Sequence, residues 1–247
     1  MIPVMGLPIL NKPELLYRTL DSVDHAVDRL YIVDNGNVVD PARVRGANAV
    51  HICDPGYNMG VGPAWNLIVQ ANIDAPWWLI TSNDLVFSPG ALGRLVEDME
   101  INLGTPHLSR IVIGNESWGN HFGAFAFTPE AIDLIGWFDP NIYPIYYEDT
   151  DWIMRIERAK PLGFTVSDIA STTHHDGNAS WKDIPANAKA NKRTWDLNRD
   201  YYDAKWGMLD KAGPYDMPFM HGRDLGYNPR TTVARLRSQD WHVERKT

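Results

Sequence analysis

Three carboxylates stand within four residues at Glu148-Asp149-Thr150-Asp151, preceded by Tyr146 and Tyr147 and followed by Trp152. Ile153, Ile156 and Ala159 continue at helical spacing, so the acids fall at the start of a predicted helix. The positive end of a helix dipole favours ionised carboxylates in the first turn, which is the state a general base needs. Acidic capping alone accounts for one such residue. Three of them, flanked by aromatic rings that can serve as flat platforms for a ligand, also suit an acid–base site.

Ser82-Asn83-Asp84 closes the apolar run from Trp77 to Thr81. A carboxylate at the end of a buried strand is costly unless it meets a cation or several donors, and a divalent metal is one such cation. The alternative is that these residues make a turn and cap a helix beginning near Ser88. Asn58-Met59-Gly60-Val61-Gly62-Pro63 is a glycine-bearing loop before a predicted helix, so its amides and the helix's positive end could face a diphosphate, with Asn66 in the same turn. A glycine loop before a helix is more often purely structural, and no Gly-Lys-Ser/Thr follows to make a Walker loop. His174-His175-Asp176 ends a predicted strand, Thr165 to Thr173; an imidazole there could join a carboxylate-bound metal, or the pair could simply lie at the surface. Neither a His-Glu-x-x-His zinc pattern nor a Gly-x-Ser-x-Gly nucleophile elbow is present.

These clusters need elements to hold them. Apolar runs alternate with amphipathic stretches through the first half, the pattern of a largely parallel sheet with crossover helices. Ile2 to Leu7, Leu30 to Val33, Ala49 to Cys53 and Trp77 to Thr81 read as strands. Pro13 opens one helix and Pro63 to Asn72 forms another. A helix from Ser88-Pro89 to about Ile101 and strands at Arg110–Ile113 and Ala124–Thr128 follow. The turn residues Pro8 to Lys12, Asp34 to Asn37 and Ser82 to Asp84 all sit at carboxyl ends of strands, where open α/β sheets place their ligand crevice. From Ile184 to Met208 the pattern is helical and polar, with Trp195, Tyr201, Tyr202 and Trp206 as apolar anchors. The last forty residues are rich in Pro, Gly and charge and read as an irregular tail.

Bulk properties narrow the partners. The 247 residues suit one main α/β domain with a C-terminal appendage, and 44% hydrophobic with 22% charged residues is ordinary for a globular chain. A formal net charge of −8 disfavours nucleic acid. No run of about 18 apolar residues offers a membrane span, and the opening MIPVMGLPIL is too short and proline-broken for a signal peptide, so a cytoplasmic protein without an integral membrane segment is expected. The single cysteine, Cys53, lies in an apolar strand and reads as a small buried side chain.

Taken in order, these pieces resemble family 2 glycosyltransferases of the GT-A fold, particularly rhamnosyl- and galactofuranosyl-transferase-like members. Asn11-Lys12-Pro13-Glu14 looks like that family's Asn-Arg-Pro-Glu, and Val33-Asp34-Asn35-Gly36 like its Val-Asp-Asn-Gly/Ser. Asn58-x-Gly60-x-x-x-Ala64-x-Asn66 resembles its Asn-x-Gly-x-x-x-Ala-x-Asn, and Ser82-Asn83-Asp84 stands where the metal motif lies. Gly136-Trp137-Phe138-Asp139 through Glu148-Asp149-Thr150-Asp151-Trp152-x-x-Arg155 is similar to its Gly-x-Phe-Asp to Glu-Asp-x-Asp-Leu-x-x-Arg, and Tyr201-Tyr202-x-x-Lys205-Trp206-Gly207 to an ending found in some members. The match spans about residues 3 to 207.

The resemblance implies an α/β, Rossmann-like GT-A domain over residues 1–180, with a donor-binding half to about residue 84, an acceptor and catalytic half beyond it, and a helical and irregular extension over 181–247. The sheet would be mixed, mostly parallel and flanked by helices. It implies an inverting transfer of one sugar from a nucleotide-sugar donor, UDP- or dTDP-linked, to a hydroxyl of a glycan, a lipid-linked, protein or small-molecule acceptor. Pro8, Asp34, Asn35, Asn58, Gly60, Asn66, Asn83 and Asp84 would bind the donor. Asp84, with His174, would hold Mn²⁺ or Mg²⁺ against the diphosphate. Asp149 would be the general base, supported by Glu148 and Asp151. The sequence departs from the Asp-x-Asp of many members in having Ser82-x-Asp84, and it lacks the Gln/Arg-x-x-Arg-Trp of processive synthases, which favours single-sugar transfer. Two other readings compete: a nucleotidyltransferase, for which Gly6 to Pro13 offers only Lys12 as a basic residue, and a sugar-binding protein with a degenerate site.

Overall fold

The structure is a computed structural model that describes residues 1–114, 122–177 and 185–207. In chain order its elements are β1 (Ile2–Ile9), α1 (Pro13–Asp21), β2 (Val27–Asp34), β3 (Ala47–Cys53), α2 (Val61–Ala71), β4 (Trp78–Thr81), β5 (Leu85–Val86), α3 (Ala91–Ile101), β6 (His107–Ile113), β7 (Ala124–Phe127), α4 (Pro129–Ile135), α5 (Glu148–Ala159), β8 (Thr165–His175) and α6 (Pro185–Trp206). The strands form one eight-stranded sheet in the order β3-β2-β1-β4-β7-β6-β8-β5. β1 runs parallel to β2 and β4, β2 to β3 and β6 to β8, whereas β7 is antiparallel to both its neighbours and β5 is antiparallel to β8. The mixed, mostly parallel sheet expected from the sequence is therefore present.

Burial explains the strand assignments. β4 and β7 are buried at every position, as strands covered on both faces must be, while edge strand β3 keeps exposed residues at alternate positions in its first half. Two cores lie on opposite faces of the sheet. On one, Ile2, Met5, Leu7 and Ile9 of β1 meet Leu16 of α1 and Leu92 and Leu95 of α3. On the other, Val4, Trp78 and Ile80 meet Trp65 and Ile68 of α2, Ile132 of α4 and Trp152 and Ile156 of α5. Gly6 leaves room for α2 against β1: a Cβ there would collide with the Ile68 side chain.

Several boundaries differ from expectation. α3 begins at Ala91 and not at Ser88-Pro89, because Ser88 is drawn toward β8: its N–H donates to Thr173 Oγ1 and its hydroxyl lies 2.9 Å from that of Ser171. α2 starts two residues earlier than Pro63, at Val61. The two-residue β5 and α4 lie outside the elements expected from the sequence, although Thr128-Pro129-Glu130 and Gly136 mark the two ends of α4. The irregular tail expected over residues 208–247 lies outside the described residues. No helix among the described residues is long and apolar enough to cross a membrane.

Candidate active site

Because β1, β2 and β4 are parallel neighbours, their carboxyl ends deliver Leu10, Asp34–Asn37 and Ser82–Asp84 to one edge of the sheet. Hydrogen bonds fasten these ends together. Asp34 is buried, and its two oxygens accept the N–H groups of Val38 (3.0 Å) and Val39 (2.8 Å), so its carboxylate folds the loop that follows β2. Pro8 pairs with Val33 in the β1–β2 register. Asn35 donates its N–H to Ile9 O, and its Oδ1 accepts from Met59 N (3.1 Å), tying β2 to the glycine loop. Gly36 must lack a side chain, since a Cβ would lie 1.8 Å from Leu10 O.

The glycine loop in turn docks on the segment that leads to α5. Asn58 Oδ1 accepts from Gly60 N (3.0 Å), and the Tyr143 hydroxyl donates to Asn58 O (2.7 Å). Gly60 sits at φ +85°, with a would-be Cβ 2.9 Å from Tyr143 Cδ2 and 3.0 Å from Pro144 O, so both conformation and space require glycine. Val61 N at the helix start donates to Pro144 O (2.8 Å), which occupies one of the amides expected to face a diphosphate. Asn66 departs from the expectation that it reaches the donor. Its amide is turned to the 136–139 segment, donating to Phe138 O (2.8 Å) and accepting from Phe138 N (3.0 Å).

Asp84 lies between β4 and β5, 5% exposed, and so does not cap a helix. His175 Nε2 stands 3.0 Å from its Oδ1. Burial pushes this carboxyl up, but the hydrogen bond and positive charge of His175 outweigh it and hold Asp84 below its ordinary value. The expected partner was His174. β5 pairs Leu85 with His175 and Val86 with His174, and successive residues of a strand face opposite ways. His174 is accordingly 55% exposed and 3.2 Å from Asp176 Oδ1, away from Asp84. Asn83 is buried beside Asp84 with no partner for its Nδ2, an unmet donor that an oxygen-rich ligand would satisfy. A carboxylate with an imidazole, next to an unmet amide donor, suits a hard divalent cation that keeps most of its ligands from a diphosphate or water. Among the described residues no group of three or more His, Cys, Asp or Glu forms a self-sufficient metal cage.

The three acids of α5 have three different environments. Glu148 is buried and its Oε2 has no partner; desolvation, then the charge of Asp149, raise its pKa well above the ordinary carboxylate value. Asp151 is fully buried. Burial raises its pKa, but Arg155 and Lys205 overcome that and bring it to about 2. It pairs with Arg155, with Lys205 Nζ (2.6 Å) and with Trp206 Nε1 (2.9 Å), so it cannot support an acceptor as the sequence suggested. Asp149 is the half-buried member, its Oδ1 accepting from Thr150 N (2.6 Å) and from the Thr150 hydroxyl (3.2 Å). Trp152 is not a ligand platform: it is wholly buried and stacked on Phe138 with ring centroids 4.3 Å apart.

The C-terminal motif, legible as a resemblance but without a role, is what clamps this helix. Lys205 bridges Asp151 and Asp139, 2.6 Å from each, and Asp139 Oδ2 also accepts the Tyr201 hydroxyl (3.0 Å). Arg155 spends two further donations on the carbonyls of Ile135 (2.8 Å) and Trp137 (2.7 Å). Tyr146 (φ 76°) and Tyr147 (φ 74°), immediately before α5, both occupy the left-handed region, a cost on the order of 1–3 kcal/mol each for non-glycine residues. Asn198 of α6 donates to Ile145 O (2.9 Å) and Tyr146 O (3.1 Å), and Trp195 meets both tyrosine rings edge-on at 5.1 Å.

Comparison with known proteins bears on the fold. No family model and no curated protein matches the sequence. Solved structures do match. Glucosyl-3-phosphoglycerate synthase from Mycobacterium tuberculosis, crystallised with Mn²⁺, UDP-glucose and phosphoglyceric acid, superposes with a TM-score of 0.54 at 17% identity, over 80% of this chain and 79% of that one. Residues 1–349 of S. aureus TarS superpose with a TM-score of 0.53 at 12% identity, over 83% of this chain and 69% of that one. At such identities the likeness establishes the GT-A architecture and nothing finer.

Proposed function

We propose that this protein is a metal-dependent glycosyltransferase that moves one sugar from a nucleotide-sugar donor, UDP- or dTDP-linked, to an acceptor hydroxyl with inversion at the anomeric carbon. The observation that carries the reading is the junction between the glycine loop and α5. The Val61–Pro144 hydrogen bond, and the close fit at Gly62, where an added Cβ would stand 3.5 Å from Glu148 Cβ, hold the acid-bearing turn against the loop that follows the strand ends where Asp84 lies. This contact supports reading the ligand-carrying strand ends and the candidate base as parts of one site.

In this reading Asp84 and His175 would hold Mn²⁺ or Mg²⁺, and such an ion would supply positive charge against the departing diphosphate. The likeness to proteins crystallised with these ions and UDP supports the choice. The Asn83 amide donates to the nucleotide, and the loops shaped by Asp34, Asn35 and Asn58 wall it. Asp149 takes the proton of the acceptor hydroxyl as that oxygen attacks the anomeric carbon; the carbon–oxygen bond to the diphosphate breaks and its electron pair leaves with the nucleotide. Asp151 is committed to Lys205 and Arg155 and Glu148 is buried, whereas Asp149 is the half-buried acid of the three, which supports its assignment as base.

A panel of nucleotide sugars tests this by nucleoside diphosphate release, with Mn²⁺, with Mg²⁺ and with excess chelator. Cation-dependent release is expected. A protein that binds a donor yet releases nothing under any condition is a binding protein, and full release in chelator removes Asp84 and His175 from the metal.

A further inference from the structure

The acid-bearing turn of α5 is entered through a backbone that its own residues disfavour. Two consecutive tyrosines at φ 76° and 74° are unusual, because the side chain of an L-residue crowds the backbone in this region and neither tyrosine has the short polar side chain that eases it. Tyr147 is the N-cap of α5 and offers no side-chain cap, so the turn is not fixed from within the helix. What surrounds it must fix it.

Asn198 is buried in α6, and its amide reaches across to donate to two successive carbonyls, Ile145 O at 2.9 Å and Tyr146 O at 3.1 Å. These carbonyls belong to the peptide units entering the left-handed pair. On either side along α6, Trp195 lies edge-on to both tyrosine rings, and Tyr202 packs on Tyr147 at 5.4 Å. Farther along, Lys205 and Trp206 grip Asp151 one turn into α5. The amide thus controls the step before the turn and the lysine controls the step after it, with Asp149 between them.

We infer that Asn198 is a positioning residue for Asp149: its double donation holds the strained Tyr146-Tyr147 step and thereby aims the first turn of α5. The inference rests on the glycosyltransferase reading for its effect on rate, though not for its effect on the turn. A misplacement of about 1 Å at a reacting group lowers rate by about a hundredfold, so loss of these two bonds should be felt in kcat and much less in donor binding.

The test compares Asn198→Ala, Asn198→Asp and Asn198→Gln. The Asp variant keeps the size of the side chain and removes both donors, and the Gln variant keeps the donors on a longer arm. The expected result is a fall in kcat of about ten- to a hundredfold for Ala and Asp, with UDP affinity and donor KM within about twofold, and partial recovery in Gln. Hydrogen exchange of the amides of residues 148–151 should quicken in Ala and Asp while the remaining helices keep their protection. Wild-type kcat and wild-type exchange in the Asp variant would overturn the inference. A parallel loss of kcat, UDP affinity and protection throughout the protein in all three would also overturn it, leaving Asn198 as general scaffold. Should the wild-type protein transfer no sugar while exchange at 148–151 still responds to Asn198, the enzymatic reading fails and the hold on the turn stands.

Discussion

Replacing Lys205 by methionine removes one charge from a cluster of two carboxylates and two cations that is buried throughout. Its ammonium lies 2.6 Å from Asp139 and 2.6 Å from Asp151, and the side chains of all three are at most 1% exposed. The variant leaves Asp139 with Tyr201 and Asn141, and Asp151 with Arg155 and Trp206, so the cluster becomes net negative in a medium that solvates charge poorly. Removing one partner of a buried pair costs about 3–5 kcal/mol, equivalent in a chain of this size to a fall in Tm of about 6–20 °C. The pH dependence has a definite sign. The folded-state pKa of Asp151, about 2, lies below its usual 3.8, so the stability it contributes is present above pH 3.8 and lost as pH falls through about 2. That shift corresponds to roughly 2 kcal/mol, and Lys205→Met should shrink it, moving the acid transition to higher pH. Thermal melts followed by circular dichroism from about pH 2 to about pH 8 measure both effects. Lys160→Met is the control, because the Lys160–Glu157 pair is about half exposed and should change stability by less than about 1 kcal/mol. Equal Tm values for Lys205→Met and Lys160→Met would refute the buried-network account.

Other outcomes follow from the same geometry. His175→Ala should raise the Mn²⁺ concentration for half-maximal activity about tenfold or more, whereas His174→Ala, whose ring faces Asp176, should change it less than about twofold; metal titrations of the purified variants decide it. Gly60→Ala should cost about 1–3 kcal/mol, measured by urea unfolding, because its φ is +85° and the added carbon meets Tyr143 and Pro144; Gly104→Ala, with a similar φ but open space, should cost only the backbone part. Burial raises the Glu148 pKa above its unfolded value, so it erodes stability as pH rises through that unfolded value. Glu148→Gln should therefore melt higher than the parent near pH 7 and lose that advantage near pH 4.

The sheet was legible because its strands are apolar runs whose burial admits no other partner, as in Trp78–Thr81, and because Asp34, Asn35 and Ser82–Asp84 mark strand ends with turn-forming residues. The histidine facing Asp84 was not legible. That choice depends on the register between the two-residue β5 and β8, and a shift by one residue exchanges His174 for His175. The chemistry of α5 was only half legible. The Asp151–Arg155 spacing is visible as an i,i+4 pair, but the lysine that completes it comes from 54 positions away, and no local pattern distinguishes a buried Asp151 from an open Asp149. Asn66 and Trp152 misled for the same reason, since their types suit ligand contact and only packing shows them turned to Phe138.

Asp149→Asn is the most direct test of the central claim, read as nucleoside diphosphate release in the presence of acceptor alongside UDP binding by titration calorimetry. The substitution keeps the side chain's shape and its hydrogen bonds to Thr150 while removing its capacity to take a proton. Transfer should fall by at least about a hundredfold, with UDP affinity within about twofold of the parent. Turnover close to that of the parent would show that Asp149 is not the base and that α5 does not carry the catalytic acid–base group.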